Sequence, residues 1–393
     1  MLAHFIERSL KDFVQAARPG ALQKAGVRAS DDEHLAAAAA WLMRSIEACG
    51  GRASSKGYRF LKGWMPPYPE TSGYIIPTLF MLERELGSSG VYRDRAIAIG
   101  DWLRGQQQPD GGFVAFEIGA GQQADVFDTG MILLGFNTLL YECPTEPMRT
   151  SARAAAEFLV ASMDESGAFV RHLSHDMLHT YNVRAAWGLA ACGQLLAESR
   201  FIEAAMANAR WTLRQQNARG YFANNAFKPG GNANMHGTVY VMRGLLQLHE
   251  LTGDRACLDA AVRAAEALCS VFDTKGMIAA ELGPDWEFLS SHLCLTGYAQ
   301  LAIVLYRLRQ MTGEERWRRT ADGLVDAVAR TQDLRDAGKP HFGAIAGSLP
   351  IYGRYAPLQY PNWATKFFID ALIAKRQVDR GERERAPLQL YGG

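Results

Sequence analysis

The sequence lacks long apolar runs and any large excess of charge of one sign. No stretch approaches the roughly 20 apolar residues that a bilayer-spanning helix needs, and 42 basic residues against 41 acidic ones leave a formal net charge of +1. This balance provides no overall field that would recruit nucleic acid or an anionic membrane. The first 20 residues also lack the continuous apolar segment of a secretory signal, and their apolar residues are spaced as in an amphipathic helix. We therefore expect a cytoplasmic protein with no membrane span and no nucleic-acid partner.

Cysteine is sparse as well. The six cysteines are far apart and form no CxxC pair, which indicates buried free thiols rather than disulfides or zinc ligands. Three histidines, His172, His175 and His179, lie close together, but no acidic residue accompanies them at the spacing of an HExxH zinc motif. The sequence therefore predicts no metal and no cofactor, and it leaves the oligomeric state open.

What the sequence does contain is a repeat of about 55 residues. Each unit has a long helical pattern that ends in a glycine followed closely by an aromatic or aliphatic residue, then a polar loop and a second helical pattern. The six glycines are Gly57, Gly112, Gly167, Gly220, Gly276 and Gly343. A repeat of this length in a helical sequence is typical of an array of helical hairpins.

The two helical patterns of each unit differ in polarity. The segments before the glycines mix alanine and leucine with charged residues, which predicts amphipathic outer helices at 91–107, 149–161, 201–216, 255–269 and 314–331. The segments after the loops are almost wholly apolar, as in 131–141 (MILLGFNTLLY), and must be buried. Six alternations predict an all-α (α/α)6 toroid, a double ring of six helical hairpins. We expect it to form a single domain over residues 1–393, with an N-terminal helix at about 1–20; the alternative is an open superhelical stack.

In a closed ring all six inner helices begin at the same end. Their unpaired N–H groups and their dipoles make that end favourable to anions. The loops that lead into these helices are rich in aromatic rings, amides, arginines and carboxylates, which are the groups that recognition of a sugar ring requires. We therefore expect one central cleft that binds an anionic small saccharide or a polysaccharide.

Two short motifs carry a resemblance to a known class of proteins. Residues 106–113 (QQQPDGGF) are similar to the glutamine-to-aromatic repeat of squalene-hopene cyclases, and 125–129 (DVFDT) is similar to their acidic DxDDT motif. The chain thus resembles the α/α-toroid superfamily, which includes terpenoid cyclases, glycoside hydrolases, polysaccharide lyases and the helical domain of glucuronyl C5-epimerase. Phe127 stands where the cyclase motif has the aspartate that protonates an alkene, so the resemblance does not supply that acid.

The C-terminal part of the chain carries a second resemblance. Residues 343–370 are similar to toroid proteins associated with bacterial surface-polysaccharide assembly. This resemblance implies carbohydrate chemistry in surface-polysaccharide metabolism, and it names no substrate.

The leading hypothesis for the chemistry is a glycoside hydrolase that acts on a uronate-type saccharide. Hydrolysis needs two carboxyl groups across a cleft, one of them protonated. We predict Asp128 as one member and a carboxylate of the fifth loop, Glu281, Asp285 or Glu287, as the other, with Glu287 as the choice. The alternative for Asp128 is a purely structural role, in which its side chain caps the N-terminus of the helix. The predicted substrate-binding residues come from several loops: Tyr74, His179, Tyr181, Arg184, Asn225, Asp285, His292, Arg354 and Trp363.

Three alternatives stay open. A uronyl C5-epimerase or a polysaccharide lyase would use His236 and Tyr355 as base and acid, because a neutral imidazole at a helix N-terminus is suited to proton abstraction. A non-catalytic saccharide-binding protein would use the same cleft without turnover. A terpenoid cyclase would have to act without the acid that Phe127 replaces.

Overall fold

The computed structural model describes residues 29–120 and 123–382. The helix expected at about 1–20 lies outside these residues. The described part contains twelve α-helices: α1 Asp31–Glu47, α2 Pro69–Leu86, α3 Val91–Arg104, α4 Val126–Glu142, α5 Glu146–Ala161, α6 Val183–Leu196, α7 Ser199–Leu213, α8 Met235–Thr252, α9 Arg255–Lys275, α10 Leu295–Thr312, α11 Glu315–Ala329 and α12 Asn362–Asp379. Short 3-10 helices at Ser174–Asp176 and Thr180–Asn182 precede α6.

The even-numbered helices form an inner ring and the odd-numbered helices an outer ring. In α4 nearly every side chain is buried, whereas in α5 the buried positions recur every three or four residues, as at Met148, Ala152 and Ala155. Each inner helix packs against the next inner helix and against its own outer neighbours. An apolar stripe can be covered from one side, but a helix that is apolar all round must be surrounded. The predicted double ring is confirmed.

The ring is closed, because the last unit packs against the first. Helix α12 lies against both α1 and α2. Seven short strands lie in the loops of the described part of the chain: β1 Gly57–Arg59, β2 Gly63–Trp64, β3 Ala233–Asn234, β4 Glu281–Leu282, β5 Leu293–Cys294, β6 Ser348–Leu349 and β7 Gln359–Pro361. Strand β1 of the first loop pairs antiparallel with β7 of the last, with Tyr58 opposite Tyr360. The alternative of an open stack is therefore wrong.

One loop contact recurs at three loop glycines, two of which, Gly167 and Gly343, mark the repeat. Gly111, Gly167 and Gly343 all have a positive φ, and a Cβ atom on each would lie 2.2–2.3 Å from a backbone oxygen of the following outer helix. Only glycine permits both this backbone conformation and this approach. For Gly343 of the sixth loop the oxygen belongs to Ala37 of α1, so the same contact joins the end of the ring to its beginning.

In three of the units a glutamine also links the loop to the next outer helix. Gln107, Gln216 and Gln332 each donate from Nε2 to the carbonyl of a loop glycine and to a carbonyl of the next outer helix. The acceptor carbonyls are those of Gly111 and Ser151 at 3.0 and 2.9 Å, Gly220 and Ala260 at 3.1 and 2.8 Å, and Gly343 and His34 at 2.7 and 3.2 Å. Each amide thus joins a loop to the next outer helix.

The two ends of the ring differ in their connections. Turns of two to four residues join each inner helix to the next outer helix, whereas loops of about 20 residues or more lead from each outer helix into its inner helix. No described helix is long and apolar enough to cross a membrane. All six cysteines are free thiols. The long loops give one face of the ring most of its side-chain diversity.

Candidate active site

A cavity of about 190 Å³ opens on the long-loop face, at the N-terminal ends of the inner helices. Nine of its thirteen lining residues are aromatic, which provides flat apolar faces on several sides. The lining residues are Tyr68, Glu70, Tyr74, Phe116, Phe127, Asp128, Ser174, Tyr181, Phe227, His236, Tyr240, Tyr355 and Trp363. Every repeat unit except the fifth contributes to them.

Two carboxyl groups, Glu70 and Asp128, face this cavity. They lie in the first turns of α2 and α4 and are both buried. Burial raises the pKa of Glu70 to about 7; the Tyr68 hydroxyl, which donates to this carboxylate, acts in the opposite direction, as does the charge of Arg184. Burial raises the pKa of Asp128 well above its usual value, and the charges of Glu70 and Asp125 raise it further. Asp128 faces two other carboxyl groups, whereas the charges of Lys56 and Arg184 act on Glu70, so a proton shared by the pair is held more strongly by Asp128.

Asp125 fixes the geometry of Asp128 without lining the cavity. It is the N-cap of α4, and its Oδ1 accepts hydrogen bonds from the backbone N–H groups of Phe127 at 2.7 Å and Asp128 at 3.2 Å. Its Oδ2 accepts from the Ser174 hydroxyl at 2.8 Å. Burial raises the pKa of Asp125, and these three donors act in the opposite direction. Asp125 thus caps the helix, and its charge raises the pKa of the neighbouring Asp128. Asp128 Oδ1 accepts from the Phe116 N–H at 3.1 Å.

His236 lies in the first turn of α8, two inner helices further round the ring from α4. Its ring Nδ1 is 2.6 Å from Nε2 of Gln300, and its ring centroid is 4.2 Å from that of Tyr240. Burial lowers the pKa of His236 well below its usual value, and the charge of Arg184 lowers it further. The imidazole is therefore neutral at physiological pH.

Tyr355, from the sixth loop, lies beside His236, with 5.4 Å between the ring centroids. Its hydroxyl accepts a hydrogen bond from Trp363 Nε1 at 2.8 Å. Burial raises the pKa of Tyr355 well above its usual value. Its phenol is thus a hydrogen-bond donor toward the cavity rather than a ready base.

Arg184 lies behind the cavity wall and is fully buried. Its Nε contacts the Met131 sulfur at 3.1 Å, while Nη1 and Nη2 have no hydrogen-bond partner among the described residues. The guanidinium carbon lies 4.6 Å from the ring centroid of Tyr240, which lines the cavity. A buried guanidinium without a directly bonded anion is energetically costly, so this cation gives the adjacent cavity an attraction for negative charge.

Of the other predicted binding residues, Tyr74, Tyr181 and Trp363 line the cavity. His179 is not among the lining residues; it stacks on Tyr181, with 4.5 Å between the ring centroids. Three more residues do not line it either. Asn225 donates to the Thr238 hydroxyl at 3.0 Å, His292 packs beside Gly353, and Arg354 is exposed on the sixth loop.

The structure does not bring Glu287 and Asp285 to the cavity, so the predicted pairing of Glu287 with Asp128 is not present. Glu287 accepts from the backbone N–H of Asp285 at 2.9 Å, and Asp285 forms an exposed ion pair with Arg219 at 3.0 Å. The physical reason is the fifth loop, which folds back on itself and is held against the fourth loop by a hydrogen bond from Trp286 Nε1 to the Arg219 carbonyl at 2.8 Å.

The carboxyl group that does accompany Asp128 is Glu70, which sequence reasoning missed. The available signal was the Pro69–Glu70 pair, because proline favours the first position of a helix and an acidic residue the first turn. Tyr68, Phe116 and Tyr240 were also missed. Aromatic residues at such positions are indistinguishable by type from ordinary core residues.

Comparisons with solved structures show the same fold. The chain is similar to unsaturated glucuronyl hydrolase from Bacillus sp. GL1, with a TM-score of 0.68 and 16% identity over 91% of this chain and 100% of that one. It is similar to a D-mannose isomerase, with a TM-score of 0.68 and 12% identity over 91% and 100% of the two chains. It is also similar to cellobiose 2-epimerase from Bacillus thermoamylovorans B4167, with a TM-score of 0.68 and 9% identity over 88% and 97%. No protein-family model and no curated protein matches the sequence. The protein is an α/α toroid.

Proposed function

We propose that the protein is a carbohydrate-active enzyme that hydrolyses a glycosidic bond in a uronate-type saccharide. The observation that carries this proposal is the pair of Glu70 and Asp128 in one aromatic cavity, with the pKa of both carboxyl groups raised by burial. Glycoside hydrolysis uses one carboxyl as acid and a second as base or nucleophile. Glu70 and Asp128 lie in different electrostatic surroundings, and such a difference allows one carboxyl group to act as the acid and the other as the base or nucleophile.

The two carboxyl groups differ in what surrounds them, which assigns their roles. Asp128 lies beside the negative charges of Glu70 and Asp125, so it holds the proton that is donated to the leaving oxygen. Glu70 accepts from Tyr68 and is stabilised as an anion by the charge of Arg184. Above pH of about 7, Glu70 is therefore the carboxylate that activates water or attacks the sugar carbon.

The substrate class follows from the walls of the cavity and from its electrostatics. Aromatic rings stack on the C–H faces of a pyranose, and Arg184 without a bonded anion favours a carboxylated sugar. Among the proteins that share the fold, one is an unsaturated glucuronyl hydrolase described as responsible for glycosaminoglycan degradation, which supports a glucuronyl residue as the first substrate to test. A role in surface-polysaccharide metabolism is compatible with this substrate class.

The proposal is tested with oligosaccharides that a lyase releases from hyaluronan, which end in an unsaturated glucuronyl residue, and with cellobiose as a neutral comparison. We expect new reducing ends from the former. For the free enzyme, kcat/KM should decrease as the pH falls below about 7, because Glu70 then takes up a proton. Absence of both turnover and binding across this panel would reject the proposal. A cyclised product from a polyprenyl substrate would instead favour the terpenoid-cyclase alternative, and binding without turnover a non-catalytic one.

Arg184 provides a second pH test. Arg184→Met removes a charge that lowers the pKa of Glu70, so the acidic limb of the kcat/KM profile should move to higher pH, by about one pH unit or less. Arg354→Met is the matched control, because Arg354 is exposed and does not line the cavity. An acidic limb that stays in place in the Arg184→Met variant would show that Glu70 is not the titrating group.

A second candidate function is uronyl C5-epimerisation or β-elimination. The observation that favours it is the neutral imidazole of His236 next to Tyr355 in the same cavity. Both reactions begin with removal of the proton at C5. Deuterium uptake at C5 from heavy water, or a new product that absorbs in the ultraviolet, would favour this chemistry over hydrolysis.

A further inference from the structure

A second pocket of about 170 Å³ lies beside the cavity, on the second loop. We call it the outer pocket. Its lining combines apolar faces with amide and carboxylate groups: Pro69, Gln106, Gln108, Phe113, Val114, Phe116, Glu117, Ile118 and Gly119. Mixed linings of this type fit pyranose rings, which present C–H faces and hydroxyl edges.

The outer pocket and the cavity share one wall, Phe116. The first turn of α2 also contributes to both: Pro69 lines the outer pocket, and the adjacent Glu70 lines the cavity. A molecule that occupied both pockets would therefore pass directly beside Glu70 and Asp128.

Phe116 is held in this position at a conformational cost. Its φ of 67° lies in the left-handed region, which is uncommon and unfavourable for a bulky aromatic residue. Its N–H is bonded to Asp128, and its side chain is 44% exposed. The strain thus places an aromatic ring at the mouth of the cavity rather than in the core.

The chain on either side of the ring is anchored to the first loop. Glu117 forms an ion pair with Lys56 at 2.7 Å, and the Ile118 N–H donates to the Pro67 carbonyl at 2.9 Å. These contacts fix the shared wall, so that the outer pocket is preformed rather than created by a ligand.

We propose that the outer pocket binds a second sugar ring of the substrate, so that the enzyme acts on an oligosaccharide placed across Phe116. This inference rests on the proposed function and adds the length of the substrate to it. Phe116 stacks on the second ring, and the amides of Gln106 and Gln108 bind its hydroxyl groups. A free uronic acid fills only the cavity and binds more weakly.

The test measures binding by calorimetry to the Asp128→Asn protein, so that no substrate is consumed. The probes are D-glucuronate and the disaccharide and tetrasaccharide that a lyase releases from hyaluronan. We expect the oligosaccharides to bind at least about tenfold more tightly than glucuronate. Adding Phe116→Ala should reduce this advantage by about tenfold, the value of one stacked ring, with a smaller effect on glucuronate.

Two further variants keep the result interpretable. Gln106→Ala combined with Gln108→Ala leaves Phe116 and its backbone in place and should also reduce the oligosaccharide advantage. Tyr352→Ala, at an exposed aromatic residue that lines neither pocket, should leave it unchanged. Equal affinity for glucuronate and the oligosaccharides, or an advantage that survives both outer-pocket changes, overturns the inference while the proposed function stands. If no saccharide of the panel binds, the proposed function fails, and this inference fails with it.

Discussion

Asp128→Asn should lower kcat by about a thousandfold or more, because loss of a general acid typically costs 10²- to 10⁴-fold. The amide has the shape of the protonated carboxyl, and its oxygen still accepts from the Phe116 N–H, but it has no proton to give to a leaving oxygen. The thermal midpoint should stay the same or rise. The raised pKa of Asp128 means that the folded protein opposes its ionisation, and asparagine removes that cost.

Glu287→Gln is the matched control for this variant. It makes the same chemical change at the carboxylate that the sequence alone had paired with Asp128, and the structure places it outside the cavity. We expect wild-type turnover from it. Full activity in Asp128→Asn, or an equal loss in Glu287→Gln, would contradict the assigned roles.

The second large effect concerns stability and lies below the cavity, in the axis of the ring. Lys366 and Asp370 of α12 form an ion pair at 2.6 Å with both side chains buried, and Asp370 also accepts from the Thr78 hydroxyl at 2.8 Å. The charges of Arg243 and Arg184 both act on Lys366. Asp370→Leu removes the carboxylate from this group of cations, and breaking a buried pair in this way costs about 3–5 kcal/mol.

Denaturant unfolding at about pH 6, below the pKa of about 7 of Lys366, where this lysine is protonated, measures this cost. The double variant Lys366→Met, Asp370→Leu should recover part of the lost free energy of unfolding, because no charge of the pair is then left without its partner. A loss below about 1 kcal/mol in Asp370→Leu would mean that solvent or other groups already compensate Lys366.

The same pair predicts a pH dependence of stability. Burial lowers the pKa of Lys366 from 10.5 to about 7, and the charges of Arg243 and Arg184 act in the same direction. Between these two values the unfolded chain binds a proton that the folded chain does not, so this group makes the free energy of unfolding rise as the pH increases above about 7. The rise should be smaller in Lys366→Met.

The architecture could be predicted from the sequence because it follows from periodicity. Glycines such as Gly167 and Gly343 mark places where a backbone must approach another closely, and the apolar run that begins at Met131 is buried wherever the chain places it. Close approach at a glycine and burial of an apolar run can each be recognised within one segment, and the repeat shows that they recur along the chain. Six similar units therefore predict six similar hairpins.

The site was less predictable because it depends on how individual loops bend. Glu287 and Glu70 are both acidic residues near inner helices. The fifth loop holds Glu287 away from the cavity, because Trp286 bonds that loop to the fourth one. Arg184 was predicted to bind substrate, and the structure places its guanidinium behind the cavity wall, over the ring of Tyr240. Phe127, where cyclases have an acid, lies in the cavity wall with its ring centroid 5.2 Å from that of Tyr181.

The pairing of β1 with β7 gives the assembly no terminal repeat. In a linear array the outermost units fray first, since each has only one neighbour; here every hairpin has two. Loss of any one hairpin would uncover apolar helices on both sides of the gap, so the ring is expected to melt as a single cooperative unit. The aromatic cavity takes side chains from five hairpins, so we expect it to be lost only when the whole ring unfolds.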